Sequence, residues 1–540
     1  MGTTRLLSMH PRVLCMTAWP VVVLSLLVLL YVYHVDSLSP GTTWNRISEH
    51  VSSLIRPSFC AACNASATTP AHVLAAAQDT LDDFFAPPSG YQQRCTKEFG
   101  IDYLRLTAQR RTEFCTDPAT ASLLCFHARG VDPLCVARGA AVRAKSASDA
   151  NTLSVSMPCS LRNFTEERAQ SEAANAALHG IQNVEDIHAY YFNTGAGVQL
   201  REWHFLPSAE AESVAAASLC AKDSNDGRWY LFARREGNNN IWHKLMEIWQ
   251  ATLSVNALRL AIDPDTGAPL LTKAQRDAVQ VVFEDDREEY LDPAWTMVSG
   301  LPPIRRRDLP TPFCPGHVIL PLAGSSSPFW TFLIETDQHE PCQTRTLMDF
   351  LLPRLLTALG VPNPRKPTDV HVHPVVTIVD RKKTRVFADL DAHVARLRQR
   401  NPNVTFHVVD FAAIPLAEQI RVMQGSDVLV GHHGAGMTQM LFMPAGTTVV
   451  EIFPAPQFPI LGFRHVALML GQMHIVGHSV WKEQYYAAVN GTPIPTDWTP
   501  PLYDTKWQRA PVSYVLPEDF VALVEAAIRS QTFKSSKLWE

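Results

Sequence analysis

The residues best suited to chemistry are two histidines and three glycines in Gly431-His432-His433-Gly434-Ala435-Gly436, directly after the apolar run 428–430. Glycine lets the backbone approach a ligand closely, and free N–H groups at the start of a helix attract an anion. The loop therefore predicts a site for a phosphate group, and hence for a phosphorylated donor. A tight turn between a strand and a helix is the alternative without a ligand.

The elements around this loop are predicted as strand, glycine loop, short helix and strand. Helix-compatible residues follow the loop, Pro444-Ala445-Gly446 interrupts them, and the β-branched run 447–452 comes next. Both strands are apolar throughout, as in a buried parallel sheet, where ligands bind at the carboxyl ends of the strands. The glycine loop occupies that end.

Four cations in Arg381-Lys382-Lys383-Thr384-Arg385 follow another predicted strand, 375–379. A solvated basic loop is one interpretation. We prefer a phosphate clamp formed by Arg381 and Arg385, because this loop also lies at the ligand-binding edge and guanidinium groups bind phosphate in a bidentate manner.

A second candidate cluster begins after the extended run 228–233. Asparagines 238–240 indicate the start of a helix. His243 and Glu247 are four residues apart and therefore lie on one side of that helix. They form either a surface pair or an active-site pair that includes a base for an attacking hydroxyl. Histidine suits that task because its reference pKa is about 6.5.

The glycine loop and the elements after it resemble the signature of glycosyltransferase family 61. That signature has a His-Gly-Ala-Gly-Leu-Thr loop, a Phe-x-Pro-x-Gly turn and a Val-Glu-Ile strand, and Met437 stands where leucine is usual. The matching residues are His433, Gly434, Ala435, Gly436, Thr438, Phe442, Pro444, Gly446, Val450, Glu451 and Ile452.

Two further segments are similar to the same family. Asn240, His243 and Glu247 resemble its Asn-x-x-His-x-x-x-Asp stretch, with glutamate where aspartate is common. Arg381 and Arg385 resemble its Arg-x-x-x-Arg segment. The resemblance covers roughly residues 230–480.

The resemblance implies an α/β fold of the GT-B type, with two facing Rossmann-like domains. It also implies an inverting transferase that uses a nucleotide-sugar donor and needs no metal ion or other cofactor. It implies His243 or Glu247 as the base and Asn240 on the acceptor side. Glu451 would either bind ribose hydroxyls or be a structural carboxylate at a strand end. The implied donor-binding residues are Arg381, Arg385, His433, Gly434, Ala435, Gly436, Thr438 and Glu451.

Three other functions are compatible with parts of the sequence. A hydrolase is disfavoured because the chain has no Gly-x-Ser-x-Gly nucleophile elbow. A metal-dependent transferase would use Asp285 or Asp286 from the acidic run 284–289, which we otherwise interpret as a solvated loop. A lectin-like or inactive relative would bind nucleotide without turnover.

The segment 13–33 is apolar and free of charged residues, and about 20 such residues cross a bilayer as a helix. Arg5 and Arg12 precede it and Asp36 follows it, so the positive-inside rule predicts a cytosolic tail and a lumenal body. A cleaved signal peptide is the alternative, disfavoured because its apolar core usually has only about 7–15 residues. We therefore expect a single-pass type II protein of the Golgi or endoplasmic reticulum membrane.

Cysteine usage and glycosylation motifs agree with a lumenal body. Ten of the eleven cysteines follow the apolar segment, which suggests disulfides whose pairing the sequence does not reveal. The sequons that predict N-glycosylation are Asn64, Asn163, Asn403 and Asn490.

The chain has 540 residues, of which 46% are hydrophobic and 18% charged, enough for two or three domains. A formal charge of -5 argues against nucleic-acid binding. Strands and helices alternate after residue 375, which predicts a doubly wound parallel domain. The expected parts are a cytosolic tail (1–12), a transmembrane anchor (13–33), a stem (34–90), an acceptor-side domain with a disulfide-rich start (91–360), a nucleotide-sugar-binding domain (361–485), and an extension (486–540) whose helix returns to the first domain.

The sequence thus predicts a membrane-anchored glycosyltransferase that transfers a sugar to a hydroxyl group of a protein or glycan. The branch of the family that it most resembles transfers N-acetylglucosamine from UDP-N-acetylglucosamine to protein hydroxyls. Xylosyl or arabinosyl transfer to polysaccharide, and a catalytically inactive nucleotide-sugar-binding relative, are the alternatives.

Overall fold

The computed structural model describes residues 89–118, 121–127, 133–144, 153–187, 194–207, 227–263, 266–330, 342, 345–362, 373–455, 460–499 and 511–532. These residues all belong to one unit, Pro87–Glu540. The predicted tail, anchor and nearly all of the stem, together with Asn64, lie outside the described residues. No helix within the described ranges has both the length and the hydropathy needed to cross a membrane.

The first half of the described chain supplies ten strands. They are β1 (Arg111–Glu113), β2 (Ser122–Phe126), β3 (Leu134–Arg138), β4 (Ala141–Ala144), β5 (Leu153–Met157), β6 (His204–Phe205), β7 (Trp229–Ala233), β8 (Gln280–Phe283), β9 (Ile304–Arg305) and β10 (His317–Leu320). Seven of them form a mixed sheet in the order β1-β2-β3-β10-β7-β8-β9. The β1 to β10 side of this sheet is antiparallel, and the pairs from β10 to β9 are parallel.

Helices of the same half cover and connect these strands. The α-helices are α1 (Ser89–Phe99), α2 (Asp102–Gln109), α3 (Phe164–Ala169), α4 (Glu172–Ala177), α5 (Ala196–Arg201), α6 (Ile241–Leu258), α7 (Lys273–Asp277) and α8 (Thr346–Ala358). Short 3-10 helices lie at Val184–Asp186, Asp292–Met297, Arg306–Asp308 and Gly324–Ser326.

Helix α6 is the central helix of this half. Its predicted start is confirmed, because the Asn240 side chain accepts a hydrogen bond from the N–H of Trp242 and caps the helix. Every residue of α6 except His243 is buried, as expected for a helix that is apolar on most sides and enclosed by the core. His243 is therefore the position at which α6 reaches solvent.

The second half of the chain alternates strands and helices as predicted. The strands are β11 (Val375–Val379), β12 (Val386–Phe387), β13 (Thr405–Val409), β14 (Val428–His432), β15 (Thr448–Phe453), β16 (Met473–His478) and β17 (Val512–Ser513). The helices are α9 (Leu390–Arg400), 3-10 turns at Phe411–Ala413 and Ala435–Phe442, α10 (Leu416–Gln424), α11 (Gly462–Met469), α12 (Lys482–Asn490) and α13 (Pro517–Thr532). Both predicted strands that flank the glycine loop are confirmed within two residues at either end.

Five of these strands form a parallel sheet in the order β13-β11-β14-β15-β16. All five residues of β14 and all six of β15 are buried, which is the burial expected for interior strands of a parallel sheet. The carboxyl ends of β11 and β14, which pair directly, bring the basic loop and the glycine loop to one edge.

The last helix corrects one prediction. Helix α13 was expected to return to the first domain, but it packs on β14, β15 and β16 of the parallel sheet. A side chain on Gly477 of β16 would overlap Leu523 of α13, so helix and strand are in close contact. The amphipathic pattern of α13 predicts that one face is buried, but it does not identify the sheet that covers this face. The helix packs on the parallel sheet because that sheet is the nearest apolar surface.

One apolar cluster joins the two halves. It contains Trp242 and Leu245 of α6, Met437 and Met440 of the 3-10 helix after the glycine loop, and Phe463 of α11. Close packing in such a cluster resists displacement of its members. The start of α6 and the glycine loop are therefore held in a fixed relation.

The predicted disulfides are confirmed in the described region. The bonds are Cys95–Cys342, Cys115–Cys159 and Cys125–Cys135, and Cys314 is also disulfide-bonded. The sequon asparagines Asn163, Asn403 and Asn490 are all exposed.

Candidate functional site

The glycine loop forms an opening in an otherwise buried stretch. Between residues 428 and 444, only Gly434, Ala435 and Gly436 are partly exposed. The N–H of Met437 bonds back to the carbonyl of Gly434 (2.8 Å), so the N–H groups of Ala435 and Gly436 stand at the open start of the 3-10 helix. Backbone donors at a helix start form an anion-binding surface.

Arg385 lies directly against this loop. Its guanidinium donates a hydrogen bond to the carbonyl of His433, and a side chain at position 434 would overlap that guanidinium. Gly434 also has φ of +127°, a conformation that L side chains rarely adopt. Glycine is thus required here both by backbone conformation and by the close approach of Arg385.

Arg381 lies beside the same loop. Its Nη1 atom would be 3.8 Å from a Cβ on Gly436, and its Nε and Nη2 donate to Thr384 O (2.8 Å) and Oγ1 (3.1 Å). The structure therefore brings both arginines and the glycine loop together at one sheet edge.

These two arginines have no carboxylate partner among the described residues. Burial lowers the pKa of Arg381, and burial together with the charge of Arg381 lowers the pKa of Arg385 to about 10. Both remain cationic at neutral pH. Buried charges are normally paired, so this pair of guanidinium groups is suited to an anion.

His433 is oriented by buried neighbours. Its Nδ1 lies 2.6 Å from Glu451 Oε1, and the second carboxylate oxygen lies 2.8 Å from His474 Nε2. Burial raises the pKa of Glu451, but the hydrogen bonds from His433 and His474 outweigh it and the pKa is lowered. Glu451 is fully buried, so a direct bond to ribose would require one of these contacts to open.

Thr438 differs from the other loop residues in its surroundings. It is fully buried, and its hydroxyl has no hydrogen-bond partner in the described part of the chain. Its side chain thus lies inside the domain, behind the exposed backbone of residues 434–436.

The start of α6 contains a second histidine with a carboxylate partner. His243 Nδ1 lies 2.6 Å from Glu236 Oε2, and Asn238 donates to the same oxygen (2.6 Å). Glu236 is fully buried. Sequence reasoning missed Glu236 because it lies in the loop before the helix, outside the helical spacing that singled out His243 and Glu247.

Glu247 has a different environment. Burial and the neighbouring Glu236 raise its pKa to about 8, and its Oε1 accepts a bond from the N–H of Glu236 (2.6 Å). A Cβ on Gly324 would lie 2.9 Å from its Cγ. Glu247 is thus a tightly packed carboxyl group that is mostly protonated at neutral pH.

Phe463 connects the two histidine clusters. Its ring makes edge contacts with Trp242 (5.5 Å between centroids) and with His433 (5.6 Å). Because Trp242 precedes His243 directly, one aromatic ring spans the space between the start of α6 and the glycine loop.

The acidic run 284–289 is neither a solvated loop nor a set of open carboxylates. Glu284 and Asp285 are buried. Arg235 and Arg287 both bind Asp285, and Arg306 binds Asp286 (2.8 Å). The solvated-loop prediction is wrong because Arg235 and Arg306, distant in sequence, and Arg287 of the run itself pair with these carboxylates. Within the described ranges, no group of three His, Cys, Asp or Glu residues is arranged to hold a metal ion.

Comparison with known proteins shows a similarity to one protein family. Residues 242–450 match the family model described as Glycosyltransferase 61. This segment of the chain is therefore similar to glycosyltransferase family 61. The matched segment begins one residue before His243 and ends one residue before Glu451, so it contains both candidate histidines and the basic loop but not their carboxylate partners.

Individual relatives match shorter stretches of this chain. Alpha-1,3-arabinosyltransferase XAT2 of Oryza sativa subsp. japonica is 31% identical over 107 residues, 19% of this chain and 17% of that protein. EGF domain-specific O-linked N-acetylglucosamine transferase of Drosophila melanogaster is 28% identical over 109 residues, 20% of this chain and 19% of that protein. The chain thus spans less than a fifth of the length of either relative.

Proposed function

We propose that this protein is an inverting glycosyltransferase that binds a nucleotide-sugar donor at the glycine loop. The observation that carries the proposal is the pair of arginines, half-buried Arg381 and buried Arg385, which lie against the partly exposed backbone of residues 434–436 without a carboxylate partner in the described chain. A diphosphate supplies the missing negative charge, and the family 61 segment agrees with such a donor.

The chemistry needs charge stabilisation at the leaving group. As the bond between the sugar C1 and the phosphate oxygen breaks, negative charge develops on the diphosphate. Preorganised donors aimed at that charge lower the barrier, and removal of one such donor costs about 100- to 1,000-fold in rate. Arg381, Arg385 and the N–H groups of the loop supply these donors, so we propose that no metal ion is required.

His243 is the proposed base. The acceptor hydroxyl transfers its proton to the ring nitrogen of His243 that does not face Glu236, while its oxygen forms the new bond to C1 from the face opposite the diphosphate. Glu236 orients the ring, as a buried carboxylate does for other catalytic histidines. Glu247 is the weaker candidate because its raised pKa keeps it protonated at neutral pH.

The donor and acceptor are proposed by analogy. UDP-N-acetylglucosamine and a protein hydroxyl are the first choice, as in the N-acetylglucosamine transferase relative. Arabinosyl transfer is the second candidate, favoured by the 31% identity to an arabinosyltransferase. Xylosyl transfer and nucleotide-sugar binding without turnover are further alternatives.

We further propose the GT-B arrangement, with the mixed sheet and the parallel sheet as cores of the acceptor and donor domains. The antiparallel β1 to β3 side of the mixed sheet is a departure from a purely Rossmann-like domain. The apolar segment 13–33 supports a type II anchor, which would put the catalytic body in the lumen of the Golgi or endoplasmic reticulum.

The test is to incubate the purified full-length chain with UDP-N-acetylglucosamine, UDP-xylose and UDP-arabinose in the presence of a chelator. We expect consumption of one donor, and a loss of about 100- to 10,000-fold in turnover for His243→Asn. A matched control is His179→Asn, because His179 is exposed and outside both clusters. Consumption that stops with chelator would contradict the metal-independent chemistry, and wild-type turnover in His243→Asn would exclude His243 as the base.

A further inference from the structure

We propose that His474 is a positioning residue for the donor site, which acts through Glu451 to hold His433 in the tautomer that carries its proton on Nδ1. This inference rests on the proposed function, since His433 opens the loop that would bind the donor. His474 lies outside the family 61 segment and was not singled out by its sequence context.

The three side chains form a continuous chain of hydrogen bonds across neighbouring strands. His433 follows β14, Glu451 lies on β15 and His474 lies on β16. The distances are 2.6 Å from His433 Nδ1 to Glu451 Oε1 and 2.8 Å from His474 Nε2 to Glu451 Oε2. The exposed fraction of the side chain falls from 11% at His433 to 0% at Glu451, and is 1% at His474.

The positions of the protons follow from the carboxylate. The lowered pKa of Glu451 keeps it ionised, and an ionised carboxylate only accepts hydrogen bonds. Each imidazole must therefore donate, His433 from Nδ1 and His474 from Nε2. The tautomer of a histidine is set by the bond that one ring nitrogen makes, so the contact with Glu451 determines which nitrogen of His433 carries the proton.

The other ring nitrogen of His474 favours the tautomer that donates from Nε2. Its Nδ1 is buried and has no hydrogen-bond partner among the described residues. A proton on that nitrogen would be a buried donor without an acceptor, which is costly. Glu451 is therefore held by one N–H donor from each histidine, His433 Nδ1 and His474 Nε2.

Glu451 needs a second hydrogen-bond donor because both of its carboxylate oxygens are buried. Without His474, Oε2 of Glu451 would be an unpaired anionic oxygen in the interior of a parallel sheet, and such a carboxyl group takes up a proton. A protonated Glu451 no longer fixes the Nδ1–H tautomer of His433. His474 thus contributes to the donor site without touching the donor.

The test compares three variants of the full-length chain. His474→Phe removes the donor to Glu451, His474→Gln restores an N–H donor, and Ile475→Ala is the matched control. Ile475 lies on the same strand and packs on the apolar cluster of the parallel sheet without joining the hydrogen-bond chain. Ile475→Ala controls for loss of stability alone.

We expect kcat of His474→Phe to fall on the order of 10- to 100-fold, the effect typical of removing a hydrogen-bond partner behind a functional histidine. KM for the acceptor stays unchanged. His474→Gln should keep kcat within about threefold of the wild type, on the same reasoning. Wild-type kcat in His474→Phe, or an equal fall in Ile475→Ala, would overturn the proposal.

A second readout separates this inference from the proposed function. If the wild-type chain consumes no sugar nucleotide, the proposed function fails, and 15N NMR of histidine-labelled protein then reports the tautomer directly. His433, assigned by comparison with His433→Gln, should carry its proton on Nδ1 in the wild type and in His474→Gln, and lose that single tautomer in His474→Phe. An unchanged His433 spectrum in His474→Phe would refute the positioning role.

Discussion

At the scale of single residues, each candidate histidine is paired through Nδ1 with a buried carboxylate. His243 binds Glu236 and His433 binds Glu451, both at 2.6 Å. Sequence reasoning identified both histidines and, by resemblance, Glu451, whose role it left open between ribose binding and a structural carboxylate, and it missed Glu236. The reason is physical: these pairs join residues from different elements, whereas sequence spacing reports neighbours within one helix or strand.

The raised pKa of Glu247 leads to a prediction about stability. In an unfolded chain a glutamate titrates near pH 4.3, whereas Glu247 titrates at about 8 in the folded protein. Between these values the folded protein binds the additional proton, so this carboxyl group makes the fold less stable as pH rises. The thermal midpoint of Glu247→Gln minus that of the wild type should therefore increase by on the order of 5 °C between pH 5 and pH 8.

Glu166→Gln is the control for this comparison, because Glu166 is exposed on α3. Its midpoint should follow that of the wild type at every pH. A difference between Glu247→Gln and wild type that does not change with pH would mean that Glu247 is ionised in the folded protein, and Glu247 would then return as a candidate base.

At the scale of secondary structure, the parallel sheet was predictable and the mixed sheet was not. Strands such as β14 and β15 are buried on both faces, so their apolar composition alone identifies them in the sequence as interior strands. The antiparallel strands β1 to β3 are short, and one of their pairings is fastened by the Cys125–Cys135 disulfide. Cysteine pairing and strand partners between distant segments leave no local pattern in the sequence.

The contact between β16 and α13 gives a prediction at this scale. Gly477→Ala places a methyl group where Leu523 lies, and overpacking of this kind costs about 1–3 kcal/mol. Leu523→Ala makes room for it, so the two substitutions should couple favourably by on the order of 1 kcal/mol in a double-mutant cycle. Thermal or denaturant unfolding of the four proteins measures the coupling. Strictly additive effects would show that the helix does not lie on Gly477.

At the scale of the whole molecule, the disulfides and the exposed sequons agree with an oxidising compartment. The Cys95–Cys342 bond joins residues 247 positions apart, and closing so long a loop stabilises a fold by about 5 kcal/mol in the chain-entropy account. At Asn163 the side-chain oxygen caps α3 by accepting from the N–H of Glu166 (3.2 Å), which leaves the amide nitrogen available for a glycan.

We therefore expect glycans on Asn163, Asn403 and Asn490 when the chain is expressed in a secretory host. Each Asn→Gln substitution should remove one glycosidase-sensitive step in electrophoretic mobility. Asn175→Gln, at an exposed asparagine outside any sequon, should remove none. A chain that is insensitive to glycosidase at all three positions would argue against a lumenal body.

The central claim is that Arg381, Arg385 and the glycine loop hold a diphosphate by themselves. Calorimetric titration of UDP into the full-length chain in the presence of a chelator tests it most directly, with the exposed Lys383 of the same basic loop as control. We expect wild type and Lys383→Ala to bind alike, and Arg381→Ala and Arg385→Ala each to bind about 10- to 150-fold more weakly, the value of a charge-assisted hydrogen bond. Equal affinities in all four proteins, or no binding by the wild type, would contradict the account.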